Sequence, residues 1–200
     1  MTAQRASRDE RITAAALDLL RTQGAAAVTV EAVAARSGVA KTTIYRRYRD
    51  RNDMLTAALA SITQPPPPTN PADLVPVVEW LVEQSHRVVH DGIGAGGLAA
   101  LLIDENRDYT QLLRSIVHQH RAALASVIRD AMNNHVVRGD IDVETVLDCI
   151  AGAYLAELGR SGSVAPGWTK RVLHTMLPAL SPRPDIRRER PARETTIETT

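Results

Sequence analysis

Apolar residues recur at helical spacing from the first turns of the chain. Ile12, Ala16, Leu19 and Leu20 fall on one face of a helix. Ser7 followed by Glu10 forms a capping box ahead of that stripe, and Gly24 suits the position just past its end. Thr29 is a good N-cap for a second helix through about Arg36, with Val30, Val33 and Ala34 facing inward. Gly38 allows a left-handed turn, and a third helix is predicted from Lys41 to Tyr48. Asp50 caps a fourth, in which Met54, Leu55 and Leu59 are apolar.

Four prolines at 65–68 stop that helix, because proline lacks the N–H and disfavours a helical residue before it. They predict a short, extended spacer over 63–70. Asn70 and Pro71 read as an N-cap followed by proline at the first helical position. A long helix to about His90 follows, with Leu74, Val77, Val78, Leu81, Val88 and Val89 apolar. DGIGAGG at 91–97 reads as a loop, Leu98 to Asn106 as a short helix and Asp108 to about Asn134 as a long one. Two further helices near 142–160 and 166–180 are joined by GRSGSVAPG, and 181–200 is a proline-rich, charged tail expected to be disordered. No strand pattern or internal repeat interrupts this series, so the predicted class is all-α, with about nine helices. The boundaries fall at a head over 1–62, the spacer, a body over 71–180 and the tail.

Composition agrees with helix. Phenylalanine is absent and aromatics make up 3% of the chain, leaving Ala, Leu, Val and Ile to fill the core. The net charge of +1 is unevenly spread: residues 1–62 carry ten Lys and Arg against six Asp and Glu, while 63–180 carry nine against thirteen. A basic head on an acidic body suits contact with a polyanion through the head. The lone Cys149 excludes a disulfide framework and a multi-cysteine zinc site. With no signal-peptide pattern and no apolar run near the ~18 residues of a membrane span, a cytoplasmic chain without membrane contact is expected.

Residues 29–55, TVEAVAARSGVAKTTIYRRYRDRNDML, carry the most specific chemistry. Two short helices around a glycine turn are how a helix-turn-helix presents its second helix to the DNA major groove. Lys41, Thr42, Thr43, Tyr45 and Arg46 offer ammonium, hydroxyl, phenol and guanidinium groups near the start of that second helix, while Ile44 points inward. Arg46 or Arg47 can grip a guanine edge or a phosphate, and the sequence leaves that choice open. Thr29 and the helix start behind it can meet a phosphate through backbone N–H groups, and Arg51 can do so by charge.

The string GVAKTTIYRRYRDRNDML, preceded by VTVEAVAARS, resembles the signature of the TetR family of bacterial transcriptional regulators over residues 8–60. The resemblance implies a homodimer with a three-helix, helix-turn-helix DNA-binding head and a helical body that binds an effector and dimerises. By position, Thr29, Thr42, Thr43, Tyr45, Arg46 and Arg51 match family residues that commonly contact DNA. Tyr48 stands where Phe or Trp is usual, and Arg51 where Lys is usual. The implied function is a ligand-responsive repressor that leaves a palindromic double-stranded operator when a small molecule binds. Helix four is then expected to carry the signal from body to head.

Within the body, Trp80, Leu81, Gln84, Leu98, Leu102, Glu105, His118 and Tyr154 combine apolar surface with a few polar points, as effector pockets do. Val146, Ile150, Ala153, Leu155 and Leu158, with Val172, Leu173, Met176 and Leu177, are the expected dimer face. His86 and His90, one helical turn apart, lack the third and fourth ligands of a zinc site, so no metal or other cofactor is expected. Ser115, His118 and Asp104 make a nominal triad without a G-x-S-x-G elbow, so no catalysis is expected either. A helical scaffold for another protein, making no use of DNA, is the alternative reading.

Overall fold

The computed structural model describes residues 7–103 and 107–183. The expected tail at 184–200 and the pocket candidate Glu105, with Asp104 and Asn106, lie outside the described residues. Among those described, nine α-helices and no strand are present.

Helix α1 (Arg8–Gln23) begins with the expected capping box: Glu10 N–H donates to Ser7 Oγ, and Ser7 N–H donates to the Glu10 carboxylate. Its Ile12, Ala16, Leu19 and Leu20 are buried. Helix α2 (Val30–Ser37) is capped by Thr29 and ends at Gly38, whose φ of 65° is left-handed. Helices α3 (Lys41–Arg47) and α4 (Arg51–Thr63) follow, the latter capped by Asp50. Ile44, Met54, Leu55 and Leu59 are wholly buried, the last three on a helix packed against α1, each worth about 1.5–3 kcal/mol by transfer from water.

The body begins later than its proline cue. The Asn70 side chain accepts from Ala72 N–H and donates to Asp73, tightening a turn over 70–73, and α5 (Leu74–Arg87) starts from Asp73. Pro71 therefore sits in a turn rather than at the first helical position, and Pro76 occupies the first turn of α5, where its missing N–H leaves no bond unmade.

The larger departure is at 91–97, which is not a loop. Val88–Ile93 continues α5 as a π-helical turn, and α6 (Gly94–Ile103) begins at once. The glycines are there for contact. A Cβ on Gly96 would lie 2.5 Å from the Leu20 carbonyl oxygen and 2.7 Å from Gly24 N, and one on Gly94 would strike Arg21. The glycines thus let the start of α6 lie directly on the end of α1. Helix α7 (Arg107–Asn133) crosses behind α4 and α5, and α8 (Val143–Ser161) and α9 (Trp168–Leu180) close the body. The proline segment does not hold the two halves apart. One continuous apolar core runs from Ile12 to Leu180, with α1 and α4 packed on the π-turn, α6 and α7.

A candidate DNA-reading surface and a cavity behind it

Helix α3 owes its position to Ile44 and Tyr48. Four residues apart, they share one face and are buried, so the opposite face turns outward. On that face Lys41, Thr42, Tyr45, Arg46 and Arg47 are exposed, and Thr43 is half-buried at its edge. Tyr45 is 56% exposed, an apolar ring held in solvent with no packing reason to be there.

The basic residues on this surface differ in freedom. Lys41 Nζ lies 3.3 Å from the Glu31 carboxylate, whose pKa is held below its ordinary value by its own backbone N–H at the start of α2 and then by Lys41. Arg47 is ion-paired with Asp9 of α1, tying the end of α3 to the start of the fold. Arg46 makes no hydrogen bond or ion pair among the described residues, so its five donors are unspent. Arg47 is thus engaged by Asp9, 38 residues away in the chain, and Arg46 is not. Thr29 Oγ accepts from Ala32 N–H at 3.1 Å and keeps its hydroxyl proton to donate outward. Arg51 does not extend from the surface. Its guanidinium sits 5.0 Å from the ring centroid of Tyr109 in α7, a cation–π contact across the seam between head and body. The Tyr109 hydroxyl is buried deeply enough to push its pKa above the usual range.

The body contains a cavity of about 110 Å³ between α5, the π-turn, α6, α7 and α8. Its walls are mostly aliphatic, with Ser85, His120 and Arg121 as the polar points. Of the residues expected from sequence to line a pocket, Leu98 does so and most of the others are engaged elsewhere. Trp80 is buried and its indole N–H donates to the Pro66 carbonyl at 2.7 Å, pinning the proline segment to α5. Leu81 is core, and Gln84 is buried with its amide oxygen facing Arg87. Leu102 and His118 are exposed on the outer sides of their helices. Tyr154 belongs to an aromatic cluster: its hydroxyl lies 2.8 Å from His90 Nδ1 and its ring packs edge-on to Trp168, while His86 stacks on His90 at 4.8 Å. That cluster accounts for both histidines considered as metal ligands. His120, two residues from the exposed His118, is buried.

Several comparisons bear on this arrangement. The family model described as bacterial regulatory proteins of the tetR family matches residues 12–58, the whole of α2 and α3 and most of α1 and α4. The uncharacterized HTH-type transcriptional regulator Rv1556 of Mycobacterium tuberculosis (strain ATCC 25618 / H37Rv) is 31% identical over 144 residues, covering 70% of this chain and 69% of that one. A solved TetR-family regulator from Rhodococcus sp. superposes with a TM-score of 0.60 at 15% identity, covering 88% of this chain and 99% of the other. The regulator FadR of Bacillus subtilis, solved in complex with stearoyl-CoA, gives 0.55 at 15% identity over 84% and 96%. The exposed α3 face, the glycine turn before it and these likenesses lead to one identity: the chain belongs to the TetR family of helix-turn-helix, DNA-binding transcriptional regulators.

Proposed function

We propose that the protein is a homodimeric repressor that holds a palindromic operator through two copies of α3 and releases it when a small molecule enters the body. The observation that carries the DNA half is the exposed Tyr45 and unpaired Arg46 on a helix anchored by buried Ile44. In this reading Thr42, Thr43, Tyr45 and Arg46 meet bases or adjacent phosphates, and Thr29 and Lys41 meet the backbone. Arg47 acts through Asp9 to hold the angle of α3, and Arg51 reaches phosphate only by leaving Tyr109.

The cavity supports the effector half, as does the ligand found in FadR. An effector acts only if it favours the conformation that releases DNA, and coupling of about 1–3 kcal/mol is typical of such switches. The chain is read as a head over 1–62, a spacer over 63–70 and a body over 71–180. It needs no cofactor, catalyses nothing and works in the cytoplasm. Among the described residues no helix is long and apolar enough to cross a membrane.

Selection of bound sequences from a random pool of double-stranded DNA at fixed, moderate salt tests the proposal. An inverted repeat with half-sites one helical turn apart, ~34–36 Å, is the expected product. Recovery of no preferred sequence by folded protein would overturn it in favour of the scaffold reading.

A further inference from the structure

His120 is the least comfortable polar side chain of the body. Helix α7 places it on the inner face, in line with Ile116, Leu124 and Ile128, and leaves it 2% exposed. The polar groups that its ring can reach, the backbone carbonyls of Thr63 and Gln84, are acceptors only, and no group among the described residues donates a hydrogen bond to either ring nitrogen. Thr63 lies at the end of α4 and Gln84 in α5; their carbonyls favour the protonated ring as acceptors, while the charge of Arg87 opposes it. Burial, the largest influence, pushes the imidazole pKa below its ordinary value, so the ring is neutral at pH 7. A neutral imidazole has one N–H to give and one lone pair to offer. The two carbonyls can take the N–H, but nothing offers a donor to the lone pair, and a buried acceptor left this way asks for an explanation.

The explanation lies in the wall His120 shares. It lines the cavity of about 110 Å³ together with Val88, Val89, Leu98, Leu124 and Leu147. That space is of the order that takes a single ring, since an apolar cavity of ~150 Å³ is known to hold benzene. The cavity has no charge to spare. The Arg121 guanidinium at its edge is bound by the Glu144 carboxylate at 2.8 Å and the Asp148 carboxylate at 2.8 Å.

We propose that this cavity takes a neutral, ring-sized hydrocarbon bearing one hydroxyl, and that His120 recognises the hydroxyl through a ring nitrogen. This assignment rests on the ligand-responsive reading above and supplies the class of its effector. It also gives the ligand a route to the head. The imidazole stands against the Thr63 carbonyl in the last turn of α4, and the first turn of α4 begins four residues after the end of α3. A ligand that turns the ring changes what the end of α4 rests on.

Calorimetric titration of the full chain with phenol, toluene and benzoate is the test. The three share a ring and differ in carrying a hydroxyl, no polar group or a charge. Phenol is expected to bind about tenfold more tightly than toluene, the worth of one hydrogen bond to a buried partner, with benzoate weakest. In His120→Leu the preference for phenol over toluene should vanish while toluene still binds. Leu147→Trp, which fills the cavity from α8, should abolish binding of both without touching His120. The assignment is overturned if benzoate matches phenol, if phenol has no advantage over toluene in the wild-type protein, if the advantage survives in His120→Leu, or if none of the three binds. If other small molecules release the operator while none of these probes binds, the ligand-responsive reading stands and the assignment of class falls. If phenol binds as expected and operator affinity does not change, the site stands and that reading falls.

Discussion

Tyr45 is the residue on which DNA recognition by α3 should turn. Its ring is mostly in solvent, so removing it should leave the fold unchanged and delete a phenol from the exposed face. Tyr45→Ala is expected to weaken operator binding about tenfold to a hundredfold, with an unchanged thermal midpoint; a gel-shift titration beside a melting curve measures both. Arg46 and Arg47 should separate in the same assay. Arg46→Ala should weaken binding and change base preference or the salt slope. Arg47→Ala should leave the slope near its original value and cost stability within about 1 kcal/mol, because an exposed ion pair with Asp9 contributes little. Equal effects of the two variants would mean that the Asp9 pair breaks on DNA. Ile44 inward and Tyr45 outward were legible from spacing alone. The fates of Arg47 and Arg51 were not, because Asp9 and Tyr109 meet them only once the chain has folded.

Among the elements, the junction of α1 with α6 binds the two halves most closely. Backbone approaches backbone there, and nothing at Gly96 can yield to an added methyl group. Gly96→Ala is expected to destabilise the protein by about 1–3 kcal/mol and to loosen the head on the body; urea unfolding and proteolysis between the halves report each. A neutral result would show that α6 is not fixed on α1 in solution. This junction was the hardest element to read in advance. In sequence, DGIGAGG has every mark of a loop, and the glycines are turn-formers in most settings. Here their use is steric, and the π-turn absorbs the extra residue that brings them into register with Leu20 and Gly24. The caps of α1, α2 and α4 were legible because the capping side chain lies within three residues of its partner, whereas the Trp80 bond to Pro66 spans fourteen.

For the molecule as a whole, the outward face of α8 has a surplus of small residues. Ile150 and Tyr154 turn inward, while Gly152, Ala156 and Cys149 are exposed. A side chain at Gly152 would meet nothing within the protomer. In the proposed dimer, Gly152→Arg should therefore raise helix propensity in the monomer yet weaken association at least tenfold, seen by sedimentation equilibrium; an unweakened dimer would place the interface elsewhere. Stability should also depend on pH. His86 and His120 both titrate below their ordinary value when folded, principally because they are buried. The unfolded chain then binds more protons as the pH falls below 6.5, so stability declines on acidification from pH 7.5 to 5.5. Urea midpoints should fall over that range and fall less in His120→Leu.

The indole bond to the proline segment has a spectroscopic consequence. The chain has two tryptophans, Trp80 and Trp168, and the head contains neither. Emission on excitation at the red edge of the indole band therefore comes from the body alone, blind to unfolding confined to α1–α3. In a Trp168→Phe background the remaining signal comes from one ring tethered to the Pro66 carbonyl, where head and body join. Its wavelength and lifetime give a label-free record of whether that joint stays closed as DNA is bound and released.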